Sequence, residues 1–127
     1  MIFERTFVLV GHCWADRSAL KSTIARTVPD ATIVRANSTA ALDKVLTVDR
    51  EGAVLMVNRV LDGRFATDSG VELIRQLARG DAAPAMLLIS DYPEAQTEAE
   101  VAGALRGFGK SQLHEAQTAD KITGSAR

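Results

Sequence analysis

A cysteine and a histidine stand together where an apolar stretch of the sequence ends. The segment "TFVLV" runs into Gly11, His12 and Cys13. A thiol beside an imidazole is the pair that many enzymes use for nucleophilic catalysis. Adjacent residues leaving a strand point in different directions, however, and no third group stands at a recognisable spacing. A packed or half-exposed thiol is the simpler interpretation, and a small α/β enzyme that uses Cys13 and His12 is kept as an alternative.

Three further polar residues follow apolar segments in the same way. Asn58 follows "AVLMV", Ser90 ends "AMLLIS", and Lys110 follows the weaker "GFG". An amide, a hydroxyl and an ammonium group could form one hydrogen-bonded network if the fold brings them together. We therefore expect a neutral-to-positive network of these three side chains, with Lys110 reaching solvent as the alternative.

The apolar segments that precede these residues predict strands. Their interiors are continuously apolar and rich in β-branched residues, which is typical of strands covered on both faces. The predicted strands are 6–10, 31–34, 53–57, 85–90 and 107–109.

Amphipathic segments lie between the strands. Leu20, Ile24 and Val28 recur one helical turn apart, and Asp16 could cap that helix. In "DYPE", Asp91 and Glu94 form the pattern of a capping box. The predicted helices are 16–28, 38–48, 69–78, 91–104 and 111–122, with a frayed tail over about residues 120–127.

Five strand–helix repeats imply a parallel sheet with helices on both faces, a three-layer α/β fold. In such folds ligands bind outside the carboxyl ends of the strands. Those ends carry Gly11, His12, Asn58, Ser90 and Lys110, so function is sought there.

Composition limits the classes of function. The 127 residues carry a net charge of −1 and one cysteine. These values predict a single domain over residues 1–127 with no intrachain disulfide and no basic surface for nucleic acid. The apolar runs are too short to cross a membrane, and "MIFERTF" does not read as a signal peptide. We expect a cytoplasmic protein.

Two motifs and one strand end resemble the receiver domain of bacterial response regulators, and the resemblance covers nearly the whole chain. "DSGVELIRQLA" (68–78) resembles the opening of the family's third helix, and "GALRGFGKS" (103–111) resembles its segment around an invariant lysine. Lys110 takes the place of that lysine, and Ser90 that of the family's hydroxyl residue. The resemblance implies a flavodoxin-like fold with strand order 2-1-3-4-5.

The residues that perform the family's chemistry are replaced in this sequence. Two acids after strand 1 and an aspartate at the end of strand 3 hold Mg²⁺ in the family, and that aspartate accepts the phosphoryl group. Gly11, His12 and Asn58 stand at those places. An amide is not a competent phosphoryl nucleophile, and Mg²⁺ prefers carboxylate and water oxygens. We therefore expect no catalysis, no Mg²⁺ or other cofactor, and a degenerate pocket.

Other departures affect the loop after strand 3 and the family's switch residues. The loop at 59–69 is about four residues longer than the family's usual spacing. Gly107 stands where the family has a switch aromatic, and Ser111 replaces a proline. We therefore do not expect the coupling that links the hydroxyl residue to the switch aromatic in the family.

The resemblance implies protein partners, such as a histidine kinase or a downstream signalling protein. In the family the face formed by helix 4, strand 5 and helix 5 serves dimerisation and output, so we also expect a homodimer through that face. Trp14 is expected to pack near the pocket or to anchor a partner, with packing favoured, and Phe65 to be exposed. The candidate partner contacts are Trp14, Phe65, Ala99, Ala102 and Phe108.

Together these observations predict a pseudo-receiver that signals by phosphorylation-independent contact with other proteins. One alternative is an active single-domain receiver phosphorylated at a displaced aspartate, Asp62 or Asp68. Because loop acids are usually solvated turn residues, we favour the pseudo-receiver.

Overall fold

Strands and helices alternate along the chain in the computed structural model, which describes residues 5–125. The strands are β1 (Thr6–Val10), β2 (Thr32–Ala36), β3 (Ala53–Asn58), β4 (Ala85–Ile89) and β5 (Leu105–Phe108). The helices are α1 (Trp14–Thr27), α2 (Thr39–Val48), α3 (Gly70–Ala78), α4 (Pro93–Ala102) and α5 (Ala116–Ser125), with a short 3₁₀ turn at Lys110–Gln112.

The strands form one sheet in the order β2-β1-β3-β4-β5. The four neighbouring pairs are all parallel. The predicted flavodoxin-like order 2-1-3-4-5 is confirmed, and β2 and β5 are the edge strands. Because the strands are parallel, their carboxyl ends meet at one edge of the sheet, where the candidate site residues stand.

Alternate residues of the central strand face two separate cores. Leu55 and Val57 of β3 pack with residues of α2, α3 and α4. Val54 and Met56 face the other side and pack with residues of α1 and α5. Because both faces of β3 are buried, its sequence is apolar throughout rather than alternating. The predicted layering, with helices on both faces, is confirmed.

Two helix starts differ from the prediction. Helix α1 begins at Trp14 with Cys13 in the cap position, and the Cys13 side chain makes no capping hydrogen bond. Asp16 lies inside the first turn, so the prediction that it caps the helix is wrong. Helix α4 begins at Pro93 after Tyr92, without a side-chain cap. The predicted capping box is therefore absent at that start.

The last helix also differs from the prediction at both ends. It begins at Ala116, after the 3₁₀ turn, rather than at Ser111. It continues to Ser125, whose hydroxyl donates to the Ile122 carbonyl at 2.7 Å. Ile122 is fully buried, so packing holds residues 120–125 in the helix, and the predicted frayed tail is wrong there. Residues 126–127 lie outside the described range. Among residues 5–125, no helix has the length and apolarity needed to cross a membrane.

Candidate functional site

Four strand ends meet at the carboxyl edge of the sheet. A cavity of about 330 Å³ lies there, and its lining includes Asn58, Ser90 and Lys110. Within residues 5–125, no hydrogen bond joins these three side chains to one another, since each has another partner. They share a cavity, but the hydrogen-bonded network we expected is not formed.

Asn58 ties three segments of backbone together. Its side chain is almost fully buried, with 8% of the residue exposed. The amide nitrogen Nδ2 donates to the Gly11 carbonyl at 3.0 Å and to the Val60 carbonyl at 2.8 Å. Because both partners are acceptors, this position requires a side chain that donates. Asn58 thus cross-links the ends of β1 and β3 and the loop that follows β3.

Gly11 stands where the resemblance places the first of the two acids, and the fold leaves no room for a side chain there. Its φ of +71° lies in the left-handed region that favours glycine. A Cβ atom on Gly11 would lie 2.7 Å from Leu61 Cδ2 and 3.0 Å from Leu61 Cα. In addition, the Asp62 N–H donates to the Gly11 carbonyl at 2.9 Å. The loop after β3 therefore occupies the space that an acidic side chain would need.

This loop, residues 59–69, is held by backbone hydrogen bonds. The Leu61 N–H donates to the Asp68 carbonyl at 2.8 Å. At the far end, the Arg64 N–H donates to the Asn37 carbonyl at 2.9 Å and the Thr39 N–H donates to the Arg64 carbonyl at 3.0 Å. Its extra length is thus used to join β3 to the start of α2, across the end of β1.

His12 is buried and neutral. Its Nε2 lies 2.8 Å from the Met56 carbonyl, so this nitrogen carries the proton and donates. Burial lowers the pKa of the imidazole below its ordinary value of 6.5, against the opposing effect of the Met56 hydrogen bond. Nδ1 is buried without a partner among residues 5–125. His12 is one of the residues that line a cavity of about 70 Å³. Cys13 is exposed, and no hydrogen bond joins it to His12. The structure therefore does not assemble the thiol–imidazole pair.

Lys110 pairs with an acid that the sequence analysis missed in this role. Its Nζ donates to Asp16 Oδ2 at 2.6 Å, and both side chains are partly exposed. The hydrogen bond from Lys110 lowers the pKa of the Asp16 carboxyl. The signal in the sequence was an acid in the first turn of α1, the helix that follows β1. We assigned that acid to a cap, and only the folded chain shows that Lys110 reaches it.

Asp91 and Tyr92 form the rim of the 330 Å³ cavity. Ser111 donates to Asp91 Oδ1 from its hydroxyl at 2.6 Å. The Tyr92 N–H donates to Ser90 Oγ at 3.1 Å, and the Arg59 guanidinium lies 4.6 Å from the centre of the Tyr92 ring. Asp91 is thus engaged with Ser111, the residue that stands in place of the family's proline.

A buried glutamine braces the same end of the sheet, and the sequence analysis did not identify it. Gln96 Nε2 donates to the carbonyls of Leu88 and Ser90, at 2.9 and 3.0 Å. Its Oε1 accepts from the Gly107 N–H at 3.0 Å. This side chain links α4 to β4 and β5, and nothing in its sequence position marks it as buried.

The donor atoms at this edge do not fit Mg²⁺. Asn58 directs its NH₂ group at two carbonyls, and Asp16 is engaged with Lys110. Asp62 and Asp68 are exposed loop residues. Among the described residues, no three histidine, cysteine or acidic side chains cluster as a metal site would require. The set of hard oxygen ligands that Mg²⁺ prefers is not assembled.

The candidate partner contacts divide into exposed and buried residues. Trp14 is 74% exposed, so the packing that we favoured for it is wrong. Ala99 and Phe108 are fully buried, because each faces one of the two cores. The prediction that they contact a partner is therefore wrong. Ala102 and Phe65 are partly buried against the core, and Phe65 is less exposed than we expected.

Comparison with known proteins shows the fold. No model of a protein family matches the sequence, and no curated protein matches it. Solved structures do match. The signal receiver domain of a DNA-binding response regulator from Colwellia psychrerythraea superposes with a TM-score of 0.73 at 14% identity, covering 95% of this chain and 97% of that one.

Two further structures cover similar shares. An orphan response regulator of H. pylori superposes with a TM-score of 0.67 at 15% identity, with 100% of both chains covered. The phosphorylated cyanobacterial phytochrome response regulator RcpA superposes with a TM-score of 0.63 at 11% identity, covering 95% of this chain and 90% of that one. The chain therefore has the receiver fold of response regulators.

Proposed function

We propose that this chain is a pseudo-receiver, which acts in signal transduction through contact with other proteins and without phosphorylation. The observation that supports this most strongly is the use of Asn58. In the family's arrangement a carboxylate at that place attacks the phosphoryl donor. Here the side chain donates two hydrogen bonds to backbone carbonyls, at 3.0 and 2.8 Å. It serves as a structural cross-link and has no catalytic role.

The loop at residues 59–69 supports the same proposal. Leu61 lies against Gly11, and the loop backbone donates to the Gly11 carbonyl. A phosphoryl group has three charged oxygens that need cations or N–H donors. In this arrangement the ammonium of Lys110 donates to Asp16 instead. Neither a metal-bound nor a metal-free phosphoryl site is therefore favoured here.

Exposed apolar side chains on α4 and β5 support contact with a protein. Val101 is 84% exposed and Leu105 is 51% exposed. We propose this surface for a homodimer, or for a signalling partner such as a kinase, in the cytoplasm. The change Val101→Glu should lower the dimer fraction in sedimentation velocity, whereas Val48→Glu on α2, another exposed valine, should not.

Intact-mass measurement tests whether the chain accepts a phosphoryl group. The protein is incubated with acetyl phosphate and Mg²⁺, with the regulator RcpA treated in parallel, because its phosphorylated form has a crystal structure. We expect no mass gain for this chain. A gain of one phosphoryl group that is lost in Asp62→Asn or Asp68→Asn would establish the displaced-aspartate alternative and overturn the proposal.

A further inference from the structure

A groove lies between α1 and β2, and none of the residues of the 330 Å³ cavity lines it. It has a volume of about 320 Å³. One wall is a stripe of α1 with residues three or four positions apart, and the other is the edge strand. The residues that line this α1–β2 groove are Leu9, Trp14, Arg17, Ser18, Lys21, Ile33, Val34 and Arg35.

Trp14 stands exposed at this groove. It is the only tryptophan of the chain, and 74% of its surface is accessible. Tryptophan is mostly buried in folded proteins, and an exposed one beside a groove is typical of an anchor for a partner. With most of its surface accessible, Trp14 is not a core residue of the described part of the chain.

The charges that line the groove are all of one sign. Arg17, Lys21 and Arg35 line it, and no acidic residue does. Within residues 5–125, none of the three makes an ion pair, since the pairs formed there involve other residues. A chain with a net charge of −1 thus presents three uncompensated cations around one exposed aromatic ring. The charge complementary to this surface is negative.

The outer side of β2 pairs with no other strand among residues 5–125. Strand β2 pairs with β1 on its inner side and is an edge strand of the sheet. An exposed edge strand offers unpaired N–H and C=O groups to which an extended peptide can add as a further strand. Neither proline nor glycine interrupts Thr32–Ala36.

We propose that the α1–β2 groove binds an extended acidic peptide segment of a partner protein, which pairs with β2 and places its carboxylates against Arg17, Lys21 and Arg35. An apolar side chain of the peptide packs on Trp14. Nucleic acid is disfavoured, because binding it usually takes more phosphate contacts than three cations provide. The inference rests on the role in protein contact proposed above and gives the chemistry of the partner. A phosphoryl group found in the mass experiment would overturn the proposal of a pseudo-receiver. It would not affect the inference that the α1–β2 groove binds an acidic peptide.

Selection from a displayed library of random peptides tests this inference. We expect the enriched peptides to be rich in Asp and Glu. The most enriched one is then synthesised and titrated into the protein at about 0.15 M salt, with the emission of Trp14 as the signal. The variant Arg35→Glu should bind it about tenfold more weakly or worse, and Arg79→Glu, a reversal at another exposed arginine, should bind within about twofold of wild type.

A second readout separates strand addition from attraction of charge alone. The bound peptide should slow amide hydrogen exchange in β2 but not in β5, the opposite edge strand. The urea unfolding curve of Arg35→Glu should match that of wild type, which shows that the variant is folded.

Several outcomes would overturn the proposal. One is a selection that enriches no peptide, or that enriches peptides without an excess of Asp and Glu. Another is an Arg35→Glu variant that binds the selected peptide as tightly as wild type does. A third is amide hydrogen exchange in β2 that the bound peptide does not slow. A shift of Trp14 emission by duplex DNA or by phosphatidylserine vesicles at the same salt, with none by the peptide, would also overturn it.

Discussion

Replacing Asn58 by aspartate introduces the residue type that the resemblance to receivers implies at this place, and we expect it to destabilise the fold. The amide that now donates to the carbonyls of Gly11 and Val60 would become an acceptor facing two acceptors. Because the position is 92% buried, water cannot readily replace the lost donors. The substitution therefore tests whether Asn58 is a structural cross-link.

The magnitude follows from the two hydrogen bonds. Leaving a buried polar group without its partner costs about 1–3 kcal/mol. In Asn58→Asp the Val60 carbonyl loses its donor, and the Gly11 carbonyl loses one of two, since it keeps the Asp62 N–H. Burial disfavours the ionised form of the new carboxyl, and the Lys110 ammonium, which lines the same cavity, offsets part of that cost. We expect the free energy of unfolding to fall by about 2–4 kcal/mol, a large part of the stability of a domain of this size.

Equilibrium unfolding in urea at pH 7 measures this change. The control Gln117→Glu adds a charge at an exposed position of α5 and should alter the free energy of unfolding by less than about 0.5 kcal/mol. Acetyl phosphate with Mg²⁺ should still add no mass to Asn58→Asp. An unchanged or increased stability, or a phosphoryl group on the variant, would refute the view of Asn58 as a cross-link.

Three other substitutions test the rest of the site by the same urea measurement. Burial holds the pKa of His12 below 6.5 in the folded protein. As the pH falls below 6.5, the imidazole therefore takes up its proton in the unfolded chain before it does so in the folded one. The free energy of unfolding decreases as a result, by at most about 1.4 kcal/mol per pH unit. His12→Gln should remove this dependence, and His114→Gln, at the exposed second histidine, should retain it. Leu61→Ala should cost about 2–3 kcal/mol, because a buried side chain is lost. Asp16→Asn should cost less than about 1 kcal/mol, because the ion pair is partly exposed.

The fold could be predicted from the sequence because its signals are local and repeated. A run such as "AVLMV" of β3 is apolar at every position, which distinguishes a strand buried on both faces from an alternating one. Five strand segments separated by helical periodicity leave few topologies. The helix ends were less predictable. Packing of Ile122 extends α5 past the point where its sequence turns polar.

The contacts of the site could be predicted only in part. The sequence places Asn58 and Lys110 at strand ends that share one edge. It does not show that Asn58 turns its amide toward Gly11 or that Lys110 reaches Asp16, because these bonds join residues 47 and 94 positions apart. The burial of Gln96 was missed for another reason, because an amide within a polar helix carries no local mark of burial.

The Lys110–Asp16 pair balances the charge of Lys110 at the edge of the sheet. A lysine at the edge of the sheet without a nearby carboxylate would be an uncompensated cation, and the first turn of α1 supplies its partner at 2.6 Å. Neither Asn58 nor Ser90 accepts from that ammonium. Under the proposed function, phosphoryl chemistry would therefore need an acid at position 58 and release of Lys110. It would also need space at Gly11, which Leu61 now occupies. The first and third of these changes break buried contacts, so the packing of the pocket opposes both of them.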